Sequence, residues 1–124
     1  MEKEKTVSSD TADGKHHEIK LKKTGAATAT VELTTWQPGQ NPEKDKGSKQ
    51  TFNVRDIKAA DDGSSLVCKG PLRVTVTVTI QQPEQDQMPV VKVKHPLGTN
   101  EYPVTETDET ELKAFIKSCG FPKA

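Results

Sequence analysis

Histidines, cysteines and clustered carboxylates are the side chains here that can bind a metal, attack a carbonyl or move a proton near neutral pH, and spacing decides whether they do. His16 and His17 are adjacent. Neighbouring positions of an extended chain face opposite sides and no third ligand accompanies them. They therefore read as part of a solvated basic segment with Lys15, Lys20, Lys22 and Lys23, not as a metal site. Cys68 and Cys119 allow one disulfide at most, and with no Cys-x-x-Cys or His-x-x-x-His spacing they read as small buried hydrophobes. Glu106, Asp108, Glu109 and Glu111 crowd the start of an amphipathic stretch, where carboxylates complement a helix dipole. There is no Gly-x-Ser-x-Gly, no Gly-rich phosphate loop and no His-Glu-x-x-His. The expectation is a protein that is not an enzyme and that uses neither metal nor cofactor.

A different chemistry is legible between residues 72 and 95. Arg73, Thr75, Thr77 and Thr79 alternate with Leu72, Val74, Val76, Val78 and Ile80, and after a polar turn at 81–87 Lys92 and Lys94 alternate with Val91 and Val93. Only a strand sorts such a pattern by face, and Val, Thr and Ile suit a pleated surface. The result is a hairpin with one aliphatic face and one face of Thr, Arg and Lys. Threonine hydroxyls donate and accept, their methyls can touch a base, and the cations neutralise phosphate, so this face can hold unpaired nucleotides of an RNA. The competing reading is the ordinary solvent side of a one-sided antiparallel sheet.

Other elements must position that hairpin. Residues 1–14 are charged and Ser/Thr-rich with a single Val, which predicts a flexible N-terminal arm; residues 15–124 then form one β-rich domain. Ile19 and Leu21 alternate with charges, and Ala27, Ala29, Val31 and Leu33 alternate with polar residues, giving two strands. Trp36 precedes a stretch at 37–48 with Pro38, Gly39, Pro42 and Gly47 and no aliphatic residue, which predicts a long exposed loop that Trp36 pins down. Short strands follow at 51–57, with Phe52 and Val54 inward, and at 65–68. Pro103 marks the strand around Tyr102 as an edge. A helix is predicted over 108–119, capped by Asp108 with Glu111 three residues on, striped by Leu112, Phe115, Ile116 and Cys119, and ended by Gly120.

Composition limits the possibilities further. The formal net charge is +0 and only 31% of residues are hydrophobic, which leaves little material for a private core and suggests that a second copy supplies cover. The N-terminus has no apolar signal sequence and no run is long enough to span a bilayer, so a cytoplasmic protein without membrane contact is expected.

The hairpin resembles the central hairpin of the coat proteins of single-stranded RNA bacteriophages. The residues that carry the resemblance are Arg73 to Thr79 and Val91 to Lys94, with Lys49 to Val54 and Ser65 to Val67 similar to the preceding strands and Thr107 to Ile116 similar to the following helix. The resemblance spans residues 49–119. It implies an α+β, mainly antiparallel protein whose C-terminal helix packs on a partner subunit's sheet through Leu112, Phe115 and Ile116. It also implies a homodimer that assembles into an icosahedral shell in the host cytoplasm. By position Thr75, Thr77 and Lys92 fall where that family contacts genomic RNA hairpins; Arg73, Thr79 and Lys94 extend the same face by geometry. Such coats package the genome, and some repress translation of the replicase. The alternative is a small β-rich binding module that takes a sugar, peptide or protein through the loop 37–48.

Overall fold

Apolar and polar residues alternate through most of the chain, and the computed structural model, which describes residues 3–82, 84–85 and 87–124, converts that alternation into eight strands. They are β1 (Lys3–Asp10), β2 (His16–Gly25), β3 (Thr28–Trp36), β4 (Ser48–Ala59), β5 (Ser65–Lys69), β6 (Thr75–Gln81), β7 (Val90–His95) and β8 (Gly98–Pro103). Each pairs antiparallel with the next, so the sheet is a meander in chain order. A helix, α1 (Glu106–Cys119), follows. No helix among the described residues is long and apolar enough to cross a membrane.

One face of the meander carries the core. Ile19 and Leu21, Val31 and Leu33, Leu66 and Cys68, Val76 and Val78, and Val91 and Val93 are all at most 4% exposed and belong to one contiguous cluster. The sheet bends where β4 changes partners. Its first half pairs with β3 and its second half with β5, and between them a bulge at Arg55–Lys58 holds Asp56 at φ 51°. That extra residue reverses the side-chain parity of the strand. Phe52 and Val54 point inward before it, and Ile57 and Ala59 point inward after it, with Ile57 fully buried. The bend lets distant strands meet across the core. The Phe52 ring lies 4.9 Å from His95 and that of His17 5.2 Å from Tyr102, and Ser9 Oγ donates to the Pro103 carbonyl at 2.5 Å.

Several sequence expectations need correction. Residues 3–10 are not a loose arm; β1 pairs with β2 from Lys3↔Lys23 to Asp10↔His16. Backbone pairing needs little apolar content. Val7 supplies the inward contact at 2% exposure, and Glu4–Lys20 and Asp10–His16 ion pairs tie the outward side. Met1 and Glu2 lie outside the described residues. The hairpin strand starts at Thr75, not Leu72, because Pro71–Arg73 form a 3-10 turn closed by Val74 N–H to the Pro71 carbonyl at 3.3 Å and bracketed by Gly70 N–H to the Val74 carbonyl at 2.7 Å. Leu72 therefore leaves the apolar face; it sits at φ 59° and is 94% exposed. The predicted turn at 81–87 includes Pro83 and Asp86, which are outside the described residues. β7 and β8 are joined by a tight turn at 96–97, and β8 begins at Gly98.

The helix begins two residues before its predicted start. Thr105, not Asp108, is the cap: its hydroxyl accepts from Asp108 N–H at 3.1 Å, and Gly120 ends the helix at φ 66°. Asp108 thus occupies the third helical position of a capping arrangement, which is why both residues look like cap signals. The stripe expected to face a partner's sheet is already covered within the chain. Leu112 is 3% exposed and Ile116 1%, and Phe115 packs half-buried at the border of the same cluster. Lys5 pairs with Glu111 at 2.6 Å, Lys3 Nζ donates to the Ser118 carbonyl, and Lys23 Nζ donates to that of Cys119, which ties the helix to β1 and β2. On its other side the segment after the helix hydrogen-bonds to Ala59 of β4 through Pro122 and Ala124. The modest apolar content suffices because the meander directs nearly all of it to one side.

Candidate nucleic-acid interface

The outer face of β4–β7 is built by the same parity that builds the core. On β6, Val76, Val78 and Ile80 are buried, so Thr75, Thr77 and Thr79 face out. On β7, burial of Val91 and Val93 sends Lys92 and Lys94 outward. The antiparallel register sets Thr77 opposite Lys94 and Thr79 opposite Lys92. Five of the six residues read from the sequence therefore share one surface. Arg73 falls in the 3-10 turn ahead of β6, and its side chain is outside what is described.

The cations differ in their freedom. Lys92 Nζ sits 3.5 Å from Glu101 of β8, so its charge is partly answered by a neighbour. Lys94 is exposed and is not within ion-pair distance of a carboxylate among the described residues. Three further cations join this face that the sequence reading did not single out: Arg55 and Lys58 on β4 and Lys69 on β5. None of the three is paired with an acid among the described residues. Register places Arg55 opposite Lys69, Lys69 opposite Thr75, and Lys58 opposite Val67, which is itself opposite Thr77. Two shallow depressions mark the surface. One of about 490 Å³ runs from Lys58, Val67, Lys69 and Thr75, past Asp56, to Ala27, Ile57, Cys68 and Pro122; the other, of about 520 Å³, is lined by Thr75, Thr77 and Lys94 together with Val74, His95 and Pro96. Thr75 belongs to both, so they adjoin.

The opposite half of the sheet has a different character. Its outer face mixes signs at short range, with Glu4, Glu18 and Glu32 among Lys20 and Lys49, and Lys20 paired to Glu4 at 3.4 Å. Trp36 sits on this side and is 6% exposed. The loop 37–48 folds over it: Trp36 Nε1 donates to the Asp45 carbonyl at 2.7 Å, and Gly47 at φ 68° lets the backbone pass against the indole. The loop is otherwise held by Asn41 N–H to Asp45 Oδ2 and Gln37 N–H to Gln40 Oε1. Trp36 thus anchors the loop and offers no open aromatic platform.

The candidate reactive groups are dispersed. His17 lies inward between Thr35 Oγ1 at 2.9 Å and Thr11 Oγ1 at 3.1 Å, while His16 faces outward to Asp10 at 2.7 Å. Among the described residues no three of His, Cys, Asp and Glu cluster as metal ligands. Both cysteines are free and buried, and burial pushes the Cys68 thiol up to about 12.

The signal for Lys69 was available, since it follows Cys68 at the alternating position of β5. The same held for Arg55, which follows inward Val54, but Lys58 was hidden by the bulge: strict alternation from Phe52 and Val54 directs it inward, whereas the structure directs it out. No protein-family model, curated protein or solved structure matches this chain.

Proposed function

We propose that this chain is an RNA-binding structural protein of the kind that coats a single-stranded RNA phage genome, with hairpin RNA held on the outer face of β4–β7. The observation that carries the reading is the segregation of charge. In a chain whose formal net charge is +0, Arg55, Lys58, Lys69 and Lys94, unpaired among the described residues, stand on one face beside Thr75, Thr77 and Thr79. An isolated protein gains nothing from holding like charges together, whereas a polyphosphate repays that arrangement by counterion release. The helix lies against the opposite face of the sheet, which leaves this one uncovered.

Self-assembly then rests on surfaces other than the helix stripe, which the chain's own core consumes. Leu72 and Leu97, 94% and 79% exposed, lie in connections at the same end of the meander and are the most exposed large apolar groups among the described residues. The loop 37–48 closes over Trp36 and leaves it no open ring face for a sugar or peptide.

The test is size-exclusion chromatography of the expressed protein with absorbance at 260 and 280 nm, followed by negative-stain microscopy of any excluded peak. A coat elutes as uniform shells rich in nucleic acid. A small species free of nucleic acid at low and moderate salt overturns the proposal. Thr75→Ala combined with Lys94→Ala should reduce the retained RNA without changing the fold.

A further inference from the structure

We infer that the outer face of β4–β7 recognises the sugar–phosphate backbone of a base-paired RNA stem and not unpaired bases. The inference rests on the RNA-binding reading above and narrows its ligand. Unpaired bases are held on single-strand sites chiefly by stacking on aromatic rings, which contributes about 1–3 kcal/mol per base. None of the aromatic residues is available for that here. Phe52 and Tyr102 point into the core, Phe115 and Phe121 pack against it with the helix, and Trp36 is buried under its loop on the other half of the sheet.

What the face does offer is suited to a backbone. Lys58 and Lys94 lie on the same cross-strand row, separated by Val67 and Thr77. At ~4.8 Å per strand they stand roughly 14 Å apart. Lys69 reinforces the Lys58 side across the adjoining row, opposite Thr75. The floor between the cations is low, made of threonines and of Val67, which is 45% exposed. Two cationic margins around a hydroxyl-bearing floor match two phosphate strands flanking the shallow minor groove of an A-form helix, where 2′-hydroxyls are the accessible groups. Threonine hydroxyls can donate to and accept from a 2′-hydroxyl; they have no π-face to hold a splayed base. Between Lys58 and Lys94 the row holds only Val67 and Thr77, neither of which can pair bidentately with a base edge, so recognition there is of shape.

The experiment measures binding of the intact protein by fluorescence anisotropy at several salt concentrations to three labelled RNAs of equal phosphate number: a hairpin, a blunt duplex with no loop, and an unstructured single strand. The expected result is that hairpin and duplex bind alike and roughly tenfold or more tighter than the single strand. Lys58→Gln with Lys69→Gln should lower the duplex salt slope by about 2 while circular dichroism stays unchanged. A single strand that binds as tightly as the duplex, or a slope unmoved by the two substitutions, overturns the inference and leaves RNA binding itself standing. If none of the three RNAs binds at low salt, both the inference and the reading beneath it fail.

Discussion

Replacing Ile116 by alanine distinguishes a helix that completes its own subunit's core from one that reserves its stripe for a partner. Ile116 is 1% exposed and packs in the same cluster as Leu112 and the inward residues of the sheet. The substitution removes three carbons, about 2.4 kcal/mol of transfer free energy at ~0.8 kcal/mol per buried methylene. A cavity against a rigid sheet adds to that, which brings the expected loss to about 3–4 kcal/mol. For a domain of this size the loss corresponds to a fall in Tm of roughly 10–15 °C. The assay is urea unfolding followed by circular dichroism, at a protein concentration where light scattering shows the monomer. Phe115→Ala is the internal comparison and should cost less, since Phe115 is only half-buried. A monomer in which Ile116→Ala costs under about 1 kcal/mol would refute the argument. A stripe held open for another subunit is solvated in the monomer and loses nothing on truncation.

Three other outcomes follow from particular contacts. Gly47→Ala should free the loop 37–48, because the added carbon would stand 2.8 Å from the Thr35 carbonyl and 3.0 Å from the indole at a backbone φ of 68°; Trp36 emission should shift to longer wavelength, and unchanged emission would contradict the packing described. Neither Cys68 nor Cys119 should react with a thiol reagent in the native protein at mildly alkaline pH, since both are buried and burial raises both thiols; rapid labelling of either would show that its side of the core opens. Burial holds the His17 imidazole below its ordinary value, with Asp13 opposing. Above the ordinary imidazole range neither the folded nor the unfolded chain is protonated there. As pH falls through about 6.5 the unfolded chain binds the proton first and stability declines, until the folded ring protonates too. His17→Gln should therefore flatten the loss of stability between about pH 7 and 5, and an unaltered pH profile would exclude His17 as a contributor.

Over residues 75–80 and 91–94, strict alternation is enough to specify the structure. Val76, Val78 and Ile80 against Thr75, Thr77 and Thr79, and Val91 and Val93 against Lys92 and Lys94, leave one consistent way to bury the aliphatic set, so strand, face and cross-strand polar surface follow from period alone. The end of the helix at Gly120 was equally local, because a left-handed residue is needed there and glycine adopts it without cost. Tertiary structure decided what local pattern could not encode. The bulge at Asp56 reverses parity within β4, so that Lys58 joins the outer face and Ile57 the core; only the need to pair first with β3 and then with β5 imposes it. Lys3 to Asp10 has too little apolar content to announce a strand, and becomes one because β2 offers a free edge and α1 offers Glu111 and a terminal carbonyl to its lysines. The amphipathic stripe of α1 showed that the helix must be covered without saying by what. Its cover is the chain's own sheet, because a meander bent at β4 presents a continuous apolar face wide enough to receive it.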